Sequence, residues 1–328
     1  MDATRRYAVV TMSRTERPRI LITEPLARRP LEWLKERAEV IPCGSEEADF
    51  ANHLREADAL IVRTYTVVDA SLLDRAPRLR IIGRAGVGLD NFDLDACRSR
   101  NIPVVYTPDA NTQAVVEYVF SLLFDHVRPH PTLAEPVDHV TWQSLRAEHV
   151  GRYELRDRAL GILGCGRIGS RVAEVARAIG MKVRYNDLQP MPESDRIGAM
   201  FMSVEKLFAE SDILTIHIDG RATNRGFVND ALISGMPSDV ILINTSRGMV
   251  VDHAALASFL TAHPDAAALL DVHEPEPIVP ENPLLSCPNA KLFPHLASRT
   301  ETALENMSWV VRDVMAGLNG EPLQYEAG

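Results

Sequence analysis

Cysteine is scarce in this chain. Its 328 residues hold only Cys43, Cys97, Cys165 and Cys287, scattered too widely for a disulfide framework or for paired zinc ligands, so reduced thiols are expected. An excess of basic charge is also missing. Lysine and arginine number 35 against 45 acidic residues, for a formal net charge of −10, and a field of that sign repels a nucleic-acid backbone or an anionic lipid surface. Long hydrophobic runs are absent too. The longest, Ala114 to Phe124, is broken by Glu117 and falls short of the ~20 residues that span a bilayer. The opening MDATRRYAVVTMSRTERP carries a short Ala8–Val10 patch but no apolar run of signal-peptide length. Neither nucleic acid nor membrane is expected as a partner, and the cytoplasm is the expected compartment. His126, His130 and His139 share a proline-dotted stretch, yet no Cys or carboxylate lies at ligand spacing, so a solvated loop and no metal are expected.

What is present is the balance of an ordinary globular protein, 46% hydrophobic and 24% charged, in a length that suits about two domains. Short apolar runs alternate with amphipathic segments, the signature of strands and helices wound around parallel sheets. In the first unit, strands are expected at 20–22, 59–62, 79–83 and 104–106, and helices at 30–38, 70–75 and 94–100. The stretch from Thr112 to Val127 is apolar on nearly all faces and predicts a buried helix, ended by Pro129, Pro131 and Pro136. A second unit follows, with five expected strands at 159–163, 183–186, 213–217, 240–244 and 267–270. The segment 301–318 predicts one last helix that packs back on a sheet. The fold class is therefore α/β, with two Rossmann-like doubly wound parallel-sheet domains. The first is discontinuous and flavodoxin-like (1–111 and 299–328), and the second, the nucleotide-binding domain, spans 112–298.

Between the strand ALGIL and the helix SRVAEVARAIG lies Gly164-Cys165-Gly166-Arg167-Ile168-Gly169. In that setting the first glycine permits a tight turn, the second lets backbone approach a pyrophosphate, and the third lets helix and strand pack closely. The helix N-terminus adds N–H groups and a positive dipole end for the phosphates. Asp187 ends the next strand, about 20 residues on, where an acid binds the adenosine ribose hydroxyls. A carboxylate there repels a 2′-phosphate, so NAD is the expected cofactor rather than NADP.

Three charged residues follow strand-like runs in the second unit: Arg247 after VILINTS, Glu276 in DVHEPEP and His295 after KLFP. Ligands of open α/β sheets bind at the carboxyl ends of the strands. The segments GILGCGRIG, INTSRGMVVD, LLDVHEPEP and FPHLAS, with GRAGVGLDNFDLDAC and YTPDANTQAVVEY in the first unit, resemble the D-isomer-specific 2-hydroxyacid dehydrogenase family from about Arg19 to Pro322. Reducing a 2-keto acid needs a hydride, a proton for the carbonyl oxygen and a cation for the carboxylate. Arg247 offers a planar fork of donors for the carboxylate and carbonyl. His295 suits acid and base work near neutral pH, and Glu276 favours the imidazolium. Glu274 competes for that role, but the family pattern selects Glu276, immediately before the proline.

The resemblance further implies that Asp271 holds the nicotinamide carboxamide, that Thr245, Ile218 and Ser298 line the cofactor, and that Arg167 and Ile168 meet the pyrophosphate. In the first unit it implies backbone donors at Val87 and Gly88 for the substrate carboxylate, and a polar side chain from Asn111. Arg63 and Arg84 resemble the positions that D-3-phosphoglycerate dehydrogenases use for a phosphorylated hydroxyacid, so a small anionic substrate of that kind is expected. Alternatively, Arg84 stabilises its own turn and Arg63 is solvated, which fits a glyoxylate or hydroxypyruvate reductase. A third reading is an NAD(H)-sensing protein resembling the C-terminal binding protein corepressors, which share DVHE-x-EP. Two segments depart from the family pattern, VRPHPTLAEPVDHV and HIDGRATNRG. A homodimer is the expected assembly.

Overall fold

A computed structural model describes residues 17–192 and 198–327; the Ala8–Val10 patch lies outside them. The chain divides into two units. Unit 1 runs through Asn111 and resumes at Glu301, and unit 2 is Thr112–Thr300. The sequence reading resumed unit 1 two residues earlier, at 299.

Unit 1 begins β1 (Arg19–Ile22), α1 (Arg28–Lys35), β2 (Glu39–Pro42), α2 (Phe50–Glu56), β3 (Ala59–Val62), α3 (Ala70–Asp74), β4 (Ile81–Arg84), α4 (Leu94–Ser99) and β5 (Val104–Tyr106). Its five strands are all parallel and ordered β2-β1-β3-β4-β5, the flavodoxin-like order. Alternate residues serve opposite cores: Leu21, Leu60 and Ile82 face one layer of helices, and Ile20, Ile61 and Ile81 the other, as a strand period of two requires. Two elements were not foreseen. The edge strand β2, EVIP, is half-exposed and has no long apolar run, and α2 buries only Phe50 and Leu54.

Unit 2 holds α5 (Thr112–Val127), α6 (His139–Glu148), β6 (Ala159–Leu163), α7 (Arg167–Ile179), β7 (Lys182–Asn186), β8 (Met200–Phe201), α8 (Val204–Glu210), β9 (Ile213–Ile216), α9 (Asp230–Ser234), β10 (Ile241–Asn244), α10 (His253–Ala262), β11 (Ala267–Leu270) and β12 (Ala290–Leu292). The parallel order is β12-β11-β10-β9-β6-β7-β8, seven strands where five were expected. The additions are the edges: β8 is two exposed residues and leaves no apolar signature, and β12 has no buried residue and only joins the short KLFP run, which reads as strand-like but stands outside the five expected strands. Strand order reverses between β6 and β9, which marks the ligand crevice of such a sheet. The expected solvated loop is corrected as well. Asp138 accepts from the Thr141 N–H at 2.7 Å and caps α6.

The chain then returns to unit 1 as α11 (Glu301–Ser308) and α12 (Val311–Asn319), two helices where one was expected. Val310, Val311, Val314, Met315 and Leu318 complete the core over Ile61 and Ile81. Gly83 admits α12 closely, since a Cβ there would lie 2.5 Å from Val314 Cγ2. The last residues cover the sheet edge, with Ala327 N–H donating to Val104 O at 2.8 Å.

Candidate active site

At the reversal point of unit 2 the glycine turn has the shape its spacing implies. Gly164 has φ +89°, and a Cβ there would sit 2.8 Å from the His217 carbonyl carbon. Gly169 lies against the turn, with a Cβ falling 2.1 Å from Gly164 O, so α7 and β6 approach as only glycine allows. Gly166 differs: a Cβ there meets nothing within 4 Å. It caps α7 with no side-chain acceptor; Arg167 and Ile168 open that helix, and the first turn of a helix presents N–H groups that suit an anion. The carboxylate of Asp187 accepts from Cys165 N–H and Leu188 N–H, both at 2.6 Å, tying the second strand to the turn.

Two buried polar atoms of this unit have no hydrogen-bond partner, Thr245 Oγ1, just past β10, and His217 Nδ1, beside the turn. His217 pairs its Nε2 with Thr215 Oγ1 at 2.9 Å, and burial pushes its imidazole down to about 3. It is neutral, and the half-buried Ile218 follows it against the glycine turn. The open ground over Gly166, the uncapped helix start and the orphaned Thr245 hydroxyl fit a dinucleotide. Burial, helped by Asp187, pushes the Cys165 thiol up to about 12, so it stays protonated.

The second half of the site follows β10, β11 and β12. Arg247 stands three residues past β10, its backbone carbonyl accepting from Asn244 Nδ2 at 3.0 Å and its Nη1 donating to Ser246 O at 2.7 Å. Glu276 Oε2 lies 2.8 Å from His295 Nδ1, and Glu276 Oε1 accepts from His273 N–H at 3.0 Å. Burial works against the charge on Glu276, but these contacts hold its carboxyl below the usual value. Glu274 pairs instead with Arg225, at 3.3 Å. The structure thus brings Glu276, not its neighbour, to His295.

His295 has φ 55°, an unfavourable left-handed backbone for a residue with a Cβ. What holds it there is Asp271. The Asp271 carbonyl accepts from His295 N–H at 2.9 Å, and the carboxylate accepts from Leu296 N–H at 2.8 Å and Ala297 N–H at 2.7 Å. Asp271 is wholly buried, and burial raises its carboxyl even though these N–H groups favour the charge. The resemblance gives this side chain to the nicotinamide carboxamide; in the structure its carboxylate anchors the loop of His295, with Ser298 next along. Near it, burial and Asp271 push the Tyr118 hydroxyl up to about 12.

The predicted substrate residues of unit 1 are placed less openly. Arg84 turns back on its loop, Nε donating to Gly88 O at 2.8 Å and Nη1 to Ala85 O at 3.2 Å. Its guanidinium fills the space over Gly86, 2.5 Å from a Cβ built there. Val87 and Gly88 are half-buried in the same turn. Arg63 donates from Nη1 to Pro25 O at 3.0 Å, while its N–H meets Glu24 at 3.0 Å. Asn111 keeps a buried Oδ1 without a partner. Sequence reasoning missed Tyr118, Asn244 and His273; all three lie in segments it quoted, and only strand-end position marked Asn244.

The comparisons agree with this geometry. Residues 120–297 match the model of the D-isomer specific 2-hydroxyacid dehydrogenase NAD binding domain. A glyoxylate reductase of Aeropyrum pernix is 35% identical over 93% of this chain and 94% of its own. A D-3-phosphoglycerate dehydrogenase of Archaeoglobus fulgidus is 33% identical over 93% of this chain, which spans 58% of that relative's length. A solved structure from Thermus thermophilus superposes with a TM-score of 0.82 at 31% identity, covering 94% of this chain and all of that one. By the family model, the whole-length likeness and the glycine turn alike, this chain belongs to the D-isomer-specific 2-hydroxyacid dehydrogenases, and unit 2 is its NAD-binding domain.

Proposed function

We propose that the protein interconverts a small D-2-hydroxyacid and its 2-keto acid with NAD(H). The observation that carries this is the 2.8 Å contact between Glu276 and His295 in the domain that bears the glycine turn. Bound NADH supplies the hydride that the carbonyl carbon receives. His295 faces Glu276 with Nδ1–H, which leaves Nε2 to deliver the proton to the carbonyl oxygen while Glu276 holds the ring. Arg247 holds the carboxylate, fixed by Asn244 and Ser246. In the oxidative direction His295 takes the hydroxyl proton back.

For the substrate, a phosphorylated three-carbon acid is supported by two arginines at the ends of β3 and β4, and by the likeness to the phosphoglycerate dehydrogenase. Arg84 would then have to exchange its loop carbonyls for phosphate oxygens. A second reading, an unphosphorylated substrate such as glyoxylate or hydroxypyruvate, is favoured by those same Arg84 bonds and requires no exchange. Steady-state rates at 340 nm with NADH and NADPH against glyoxylate, hydroxypyruvate and 3-phosphohydroxypyruvate test all of this. Turnover with NADH preferred is expected; none on any keto acid sinks the enzyme reading in favour of a nucleotide sensor. If the arginines bind phosphate, Arg63→Ala and Arg84→Ala each lower kcat/KM for the phosphorylated acid roughly ten- to a hundredfold and spare glyoxylate.

The same reading places the protein in the cytoplasm as a homodimer. Support for the dimer comes from α6, which has no buried residue, and from exposed Phe124, Leu133, Val140, Trp142 and Val150 around it. A ten-residue helix is marginal by itself.

A further inference from the structure

His273 occupies the middle of the proton-transfer apparatus, although it was given no role. It is buried at 5% exposure. Its Nε2 lies 2.7 Å from the carbonyl oxygen of Phe293, two residues before His295. A carbonyl only accepts, so Nε2 carries the proton. The backbone N–H of the same residue holds Glu276 Oε1 at 3.0 Å. Gly248, next to Arg247, lies flat against it: a Cβ at 248 would fall 2.0 Å from the His273 carbonyl carbon. One residue therefore touches all three segments that carry Arg247, Glu276 and His295.

We propose that His273 is a positioning residue for the Glu276–His295 pair, its imidazole fixing the approach to His295 while its backbone fixes the carboxylate. The strain at His295 gives this bond its purpose. Asp271 secures the loop on the far side of His295 through Leu296 and Ala297, and the His273 side chain secures the near side through Phe293. With both ends tied, a left-handed histidine persists; without the bond to Phe293 O, the near side keeps only the backbone bonds of Phe293 N–H to Leu270 O and His295 N–H to Asp271 O, and Nδ1 can drift from Glu276. An apolar ring of similar size would fill the same space without making the bond. The second ring nitrogen, Nδ1, is buried with no partner, so the hydrogen bond of the ring is the one that Nε2 makes.

The inference rests on the proposed role of His295, and the test separates the two. His273→Phe and His273→Gln are compared with the unaltered protein and with His295→Ala, using glyoxylate and 3-phosphohydroxypyruvate with NADH. Glutamine places an amide N–H near the position of Nε2. His273→Phe should lower kcat roughly tenfold, the worth of one buried hydrogen bond, with KM for NADH unchanged, and His273→Gln should recover most of it. Hydrogen exchange monitored by mass spectrometry, which needs no turnover, should show faster exchange in the 293–297 segment of His273→Phe alone, restored by Gln. Normal exchange and normal kcat in His273→Phe overturn the proposal. So does a loss that extends to NADH binding and thermal stability and is not rescued by Gln, which makes the residue merely structural. His295→Ala with full activity overturns the role of His295 itself, whatever the exchange data show.

Discussion

Glu274 and Glu276 are separated by one proline, yet the first pairs with Arg225 and the second with His295. Exchanging each for glutamine should therefore have unequal effects. Glu276→Gln should move the pH profile of keto-acid reduction to lower pH, because the contact with His295 that holds the Glu276 carboxyl below its usual value is lost; the pair is more than a third exposed, so the shift should stay under about a unit, ~1 kcal/mol or less. Glu274→Gln should leave the profile in place, because its partner is Arg225 and not His295. Rate profiles for the two variants check this, and the reverse pattern would exchange their roles. At this scale the sequence was legible where a residue type is tied to a local pattern, as in the glycines and the acid after β7. It was less legible where one side chain serves a distant backbone. Nothing in LLDVHEP says that Asp271 will receive two N–H groups from a loop some 25 residues away, whereas the bonds of Arg84 to its own turn are one of the two readings its position allows.

Among the elements, the glycine turn makes the most direct prediction, since two of its glycines are required for different reasons. A methyl group at 169 collides with Gly164 O, so Gly169→Ala should drive α7 from β6 and destabilise the protein itself, by about 1–3 kcal/mol. A methyl group at 166 meets open space. Gly166→Ala should keep the melting temperature of the cofactor-free protein and still weaken NADH binding tenfold or more, by blocking close approach of the pyrophosphate. Calorimetry and fluorescence titration of both variants separate the effects; equal losses of stability would contradict the geometry. Central strands such as β3, ALIV, and β10, ILIN, were plain in the sequence because both faces are buried. Edge strands β2, β8 and β12 were not, since they are half-exposed or short. The break between α11 and α12 was hidden because apolar residues run straight through it, Trp309, Val310 and Val311.

For the molecule as a whole, the exposed apolar residues near α6 lead to an expected dimer in sedimentation equilibrium. Trp142→Glu with Val140→Lys should shift it toward monomer without lowering the stability of unit 2, because neither side chain is buried within it; a monomeric unaltered protein would end that reading. Both parallel sheets were foreseen, and so was the division near 111, because βα alternation and the glycine turn are local signals. The return of the chain to unit 1 has a consequence for biosynthesis. Ile61 and Ile81 lose their cover unless α12 is present, and all of unit 2 stands between them in the chain. During translation, at about 5–20 residues per second, the first half-domain must wait roughly ten seconds or more with one apolar face covered only in part, by Leu26, Leu34 and Ala38. Unit 2, contiguous in sequence, can meanwhile complete its sheet. The nascent chain thus offers a chaperone a defined target on the face of β3 and β4 until the residues of α12 have emerged.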